Sequence, residues 1–137
     1  MTRRNALVIS VLLGLGAGIL VLTVLLPTGN PGDVSVESNP SILELLPPRG
    51  DTVLPQANVG VILAPGWVGE ILHIGGTVIP VDQQRIEKAL NSVIFRPSAD
   101  LALERLPAQE VCTTVRYWSV RNPDRTATID WCFRVDG

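Results

Sequence analysis

Few residues in this 137-residue chain could do chemistry: Cys112 and Cys132, the lone histidine His73, and a set of scattered carboxylates. Structural zinc takes four ligands, usually in closely spaced pairs, and two cysteines twenty positions apart with one histidine do not supply them. Thiol–disulfide catalysis wants Cys-x-x-Cys or an activated thiol beside a base, and neither is present. A Ser-His-Asp arrangement would have to use His73, and no Gly-x-Ser-x-Gly elbow accompanies it. His73 lies between Leu72 and Ile74 with the parity of an outward strand residue, which a solvated histidine satisfies. Glu70, Asp82, Glu87, Asp100, Glu104, Glu110, Asp124 and Asp130 are spread so that no two stand out as an acid–base pair. The sequence calls for no cofactor and no metal. Surface charge is the simpler role for these groups.

The cysteines fit a covalent staple better. Residues 110–120 and 126–135 read as two strands joined around "RNPDR". Val111, Thr113, Val115 and Tyr117 share one face of the first; Ala127, Ile129, Trp131, Phe133 and Val135 share one face of the second. An antiparallel register matching those faces can oppose Cys112 to Cys132. It then opposes Glu110 to Arg134 and Thr114 to Asp130, and leaves a loop of about three residues near Asn122. Opposed charges and opposed cysteines select the same register. Oxidation is the usual fate of such a pair outside the plasma membrane, and free thiols are the alternative if the domain faces inward or the register slips by two.

Two aromatic residues suggest contact instead of catalysis. Trp118 has the outward parity of its strand, and Trp67 lies in the Pro/Gly-rich "LAPGWVGEI". Outward tryptophan is enriched at recognition surfaces. The competing reading has Trp67 plugging one end of the domain and Trp118 covered by a neighbouring segment.

The elements that must position these residues begin at a membrane. Residues 6–26, "ALVISVLLGLGAGILVLTVLL", carry no charge and as a helix would span roughly 31 Å. Arg3 and Arg4 precede the run and Asp33 is the first charge after it, so residues 1–5 are expected in the cytoplasm and the rest outside. A cleavable signal peptide is the alternative, but the run is long for one and ends in Leu25-Leu26-Pro27 without a small-x-small site. An uncleaved, single-pass plasma-membrane anchor is therefore expected. Ala6, Ser10, Gly14 and Gly18 recur every fourth residue, a spacing that lets two membrane helices approach closely, in a homodimer or with another membrane protein. The formal charge of −2 gives no sign of nucleic-acid binding.

Residues 27–40, rich in Pro, Gly, Ser and Asn, read as a flexible spacer. Residues 41–137 then show short apolar runs broken by Pro and Gly, the pattern of an all-β sandwich. Strands are expected at 42–46, 56–63, 71–74, 77–79 and 93–95 besides the final two, with a hairpin at Gly75-Gly76. A short helix capped by Asp82 is expected over 82–90, with Ile86, Ala89 and Leu90 facing the domain, and a helical turn before Pro107.

The run "PSILELLPPRGDTVLPQANVGVILAPGWVGEILHIGGTVIP", with "FRPS" and "LPAQEVCTTVRYW", resembles bacterial immunoglobulin-like modules. More specifically, it resembles uncharacterised single-pass membrane proteins of actinobacteria that carry one such extracytoplasmic domain. The resemblance covers roughly residues 40–135 and implies an immunoglobulin-like β-sandwich. It brings no activity and no site residue with it. It also implies a departure, because antibody-type cysteines bridge the two sheets and these fall on adjacent strands. The function expected is non-enzymatic: a membrane-anchored binding or accessory module contacting a membrane-protein partner or an envelope component. The alternative is an enzyme or small-ligand-binding accessory with a site on the sandwich loops.

Overall fold

A computed structural model describes residues 38–137. The expected membrane helix 6–26, its small-residue stripe and the spacer up to residue 37 lie outside the described residues. No helix among the described residues is long and apolar enough to cross a membrane.

The described chain is built of strands: β1 (Ile42–Leu46), β2 (Thr52–Val53), β3 (Val59–Leu63), β4 (Trp67–Ile74), β5 (Thr77–Val78), β6 (Arg85–Glu87), β7 (Ser92–Phe95), β8 (Glu110–Ser119) and β9 (Asn122–Val135). They form a four-stranded sheet, β1-β3-β7-β6, and a five-stranded sheet, β2-β9-β8-β4-β5. The two make a sandwich. Alternation explains the layering: Val59, Val61 and Leu63 of β3 and Val111, Val115 and Tyr117 of β8 turn inward and are buried. Ile71, Ile74, Phe95, Trp131 and Phe133 complete the centre of the core.

The N-terminal edge changes sheets. β1 pairs antiparallel with β3; the chain then turns at Pro47-Pro48 and β2 runs parallel to the end of β9. The Trp131 indole N–H donates to the Pro47 carbonyl at 2.9 Å, so the largest core side chain also ties down that crossing. Gly75 and Gly76, at φ of 56° and 84°, make the two-residue hairpin between β4 and β5. Both central positions require the left-handed region, which explains the Gly-Gly pair.

No helix forms over 82–90. A three-residue 3-10 turn, Val81–Gln83, is followed by β6, which pairs with β7 through Ile86 opposite Val93. Tertiary pairing outweighs local helix preference here. The 87–90 stretch does make helix-like bonds, from Leu90 N–H to Glu87 C=O and from Asn91 N–H to Lys88 C=O. Asn91 at φ 50° ends the turn and its carbonyl accepts from Leu63. Ala89 and Leu90 consequently face outward, not into the domain. The segment before Pro107 likewise holds bends in place of a helical turn, with Leu106 fully buried and its N–H on the Pro55 carbonyl. The strand expected at 56–63 begins at Val59, because Leu54 and Ala57 close a turn ahead of it.

The β8–β9 register opposes Glu110 to Arg134, Cys112 to Cys132 and Thr114 to Asp130. It shifts between Trp118 and Ser119, so that Ser119 meets Asn122 and the loop is tighter than the sequence suggests. Ala127, opposite the buried Tyr117, is exposed, on a stretch of β9 whose outer edge is open because β2 pairs only with Arg134 and Val135.

Candidate functional site

The outer face of the five-stranded sheet carries a row of polar pairs set by that register. Arg116 of β8 makes an ion pair with Glu70 of β4. One step along, Thr114 stands between His73 and Asp130. Its hydroxyl donates to Asp130 Oδ1 at 2.5 Å, and His73 Nε2 lies 3.0 Å from the same oxygen. A carboxylate only accepts, so the threonine hydrogen goes to Asp130, and His73 must bring an N–H at Nε2 to bond the hydroxyl. That order differs from a hydrolytic triad, where histidine takes the proton of the nucleophile. The row is a hydrogen-bonded strap across three strands.

Cys112 and Cys132 continue the row, with sulfurs 2.02 Å apart and α-carbons 4.0 Å apart. They are bonded. Glu110 Oε and the two sulfurs cluster within 4.8 Å, yet with both sulfurs in a disulfide a single carboxylate remains, which does not make a metal site.

Trp67 and Trp118 take different positions. Trp67 is half-buried, packs on the core and lies 5.9 Å from the Tyr117 ring at a 56° tilt. Asn39 caps the same tyrosine, donating to its hydroxyl at 2.7 Å. Trp118 stands on the outer face and lines a groove of about 470 Å³. One wall is Trp118, Val120 and Pro123 of the β8–β9 hairpin; the other is Val81, Ile86 and Lys88; Val68, Gly69 and Glu70 of β4 form the floor. Val81 and Val120, at 51% and 60% exposure, are apolar groups left in water at its rim.

The groove exists because β4 is paired on one side only along most of its length. β5 covers just His73 and Ile74. At Ile71 the Gln84 side chain replaces a strand: its Oε1 accepts from Ile71 N–H at 2.8 Å, and its Nε2 donates to Ile71 C=O at 2.7 Å and to Ile79 C=O at 3.0 Å. Gln84 is buried, so the amide acts as a single peptide unit laid against the edge. At the other end Gly66 C=O accepts from Val120 N–H, which means that even-numbered residues of this stretch face β8. Ile71 and Gly69 therefore point their backbone groups away from β8, toward the groove. Gly69 is buried, and its N–H and C=O have no partner among the described residues. A Cβ there would meet Arg116 O at 2.8 Å, so the close approach of β4 to β8 demands glycine.

Sequence reading located Trp118 and the outward face but missed Gln84, Gly69 and Lys88. The overlooked signal is parity: in a strand reading of "QRIEK", Gln84 falls on the same side as Ile86. No protein-family model matches the chain, and no curated protein matches it significantly.

Proposed function

We propose that this protein is a non-enzymatic binding module, held at the outer side of the plasma membrane by residues 6–26, whose contact surface is the Trp118 groove. The observation that carries the reading is the unfilled ladder position at Gly69, buried in the floor of an apolar groove and next to an edge already completed by the Gln84 amide. Buried backbone groups are nearly always paired, and a strand laid along an edge pairs them while its alternate side chains fill the groove. The partner is accordingly an extended protein segment with apolar residues at alternate positions and a carboxylate for Lys88. Lys88 has no ion-pair partner among the described residues.

An immunoglobulin-like sandwich is the architecture we infer. The order β1-β3-β7-β6 against β9-β8-β4-β5 follows the two sheets of such domains, and the edge strand split between sheets supports the same reading. The disulfide departs from it by joining neighbours in one sheet. Oxidation of that pair supports an extracytoplasmic location.

Site-specific photo-crosslinking in intact cells tests the surface. A photoreactive residue at position 118 is expected to give one defined protein adduct, lost in Lys88→Glu, while the same residue at Leu43 on the opposite edge gives none. Equal adducts from both positions, or none from 118, would refute the assignment.

A further inference from the structure

The outer face of the four-stranded sheet carries a cleft of about 620 Å³, within the size range of small-molecule sites. Register puts two arginines in it. Val93 and Phe95 of β7 turn into the core, so Ile94 and Arg96 turn out. Arg85 of β6 stands opposite Ile94, which makes it the diagonal neighbour of Arg96, about 7–8 Å away across the sheet and within reach of long side chains. Val59 pairs with Phe95, so Asn58, one residue earlier, falls beside Arg96.

The far wall is a loop held in place by its own backbone. Leu101 N–H donates to Ser98 C=O, and Ser98 N–H to Leu103 C=O. Ala102 N–H donates to Gln83 Oε1 at 2.7 Å. With its oxygen taken, the Gln83 side chain has Nε2, a donor, left to offer.

Every charged group lining the cleft is a cation, although acidic residues outnumber basic ones in the chain. Arg96 has no ion-pair partner among the described residues. Arg85 has only Glu87, at 3.5 Å, with the arginine side chain 78% exposed. Two guanidiniums, two amides and the Ser98 hydroxyl suit a group with several oxygens and more than one negative charge. A carboxylate carries one charge on two oxygens. A phosphate monoester carries about −1.5 to −2 near neutral pH on three terminal oxygens, and arginine grips it bidentately. Ile94, Pro97 and Leu101 give the organic part of an ester an apolar surface.

We propose that this cleft binds a phosphate monoester, with Arg85 and Arg96 on the phosphoryl oxygens and Asn58 and Gln83 as neutral donors. It shares no lining residue with the Trp118 groove, so the two sites are tested separately.

Glycerol 3-phosphate titrated into the full chain in mild non-ionic detergent, followed by NMR of the arginine Nε–H groups, is the test. Saturable shifts are expected. Arg96→Gln and Arg85→Gln should each raise the dissociation constant about tenfold or more, and Arg121→Gln, at an exposed arginine of the β8–β9 hairpin, should leave it unchanged. Arg96→Lys keeps the charge without the planar fork and should weaken binding as well. Shifts that never saturate, or equal weakening by all three glutamine variants, would overturn the site by reducing it to diffuse charge attraction. Acetate binding as tightly as the ester would overturn it too, by making a carboxylate the ligand. Phosphatidic acid added to the micelles names the source: competition assigns a lipid headgroup, its absence a soluble ester, and either result upholds the phosphoryl site.

Discussion

Replacing Gln84 by Ala should be among the most damaging polar substitutions in the domain. The amide makes three hydrogen bonds, two to Ile71 and one to Ile79, from a buried position. Truncation leaves one N–H and two carbonyls without partners, and a stranded buried group costs about 1–3 kcal/mol. The vacated space beside the groove can admit water, so the low end applies and the total is about 3 kcal/mol. Gln84→Glu adds a pH test. A carboxylate can accept from Ile71 N–H but must face the Ile71 and Ile79 carbonyl oxygens, which favours the protonated acid in the fold. Its folded pKa is thereby raised above the unfolded value of about 4.3, so the variant is most stable below that pH and loses stability as pH rises through the folded value. Urea unfolding of the full chain in mild detergent, followed by tryptophan fluorescence at pH 4 and pH 7, measures both. A loss below about 1 kcal/mol for Gln84→Ala, or a Gln84→Glu variant relatively more stable at pH 7, would refute the role of the amide as a surrogate strand.

Three further outcomes are expected, two from the structure and one from the sequence. Cys112→Ser/Cys132→Ser opens a loop of twenty residues and should cost about 3 kcal/mol by loop-closure entropy, read as a lower urea midpoint. Trp131→Phe removes the bond to Pro47 O and leaves a void in a site with no exposure; a loss of about 2–4 kcal/mol is expected from thermal melts. Gly14→Ile tests the proposed membrane helix 6–26: reduced chemical cross-linking in bilayers is the expected outcome, and unchanged cross-linking would reduce the small-residue stripe to composition.

The β8–β9 register was legible because several pairs constrain it at once. Core faces, opposed charges and opposed cysteines all require the same alignment, and a one-residue slip would reverse every face. The register shift at Trp118/Ser119 was not legible, since every pair that constrains the alignment lies on the other side of it. The 82–90 segment misled for a different reason. Asp82, Ile86, Ala89 and Leu90 have helical spacing, but the edge of β4 needed the Gln84 amide and β7 needed a neighbour. Both demands come from residues distant in sequence. The groove shares that origin: Trp118 showed its outward parity locally, whereas Gly69, Gln84 and Lys88 become a site only when two edges of different sheets meet beside the hairpin.

The proposed membrane topology underlies the partner surface inferred for the Trp118 groove. Fusing alkaline phosphatase, which folds only in an oxidising envelope compartment, after Gly137 measures it directly. An active phosphatase with membrane-bound, full-length product is the predicted result. An inactive phosphatase, with a cytosolic reporter active at the same position, would contradict it.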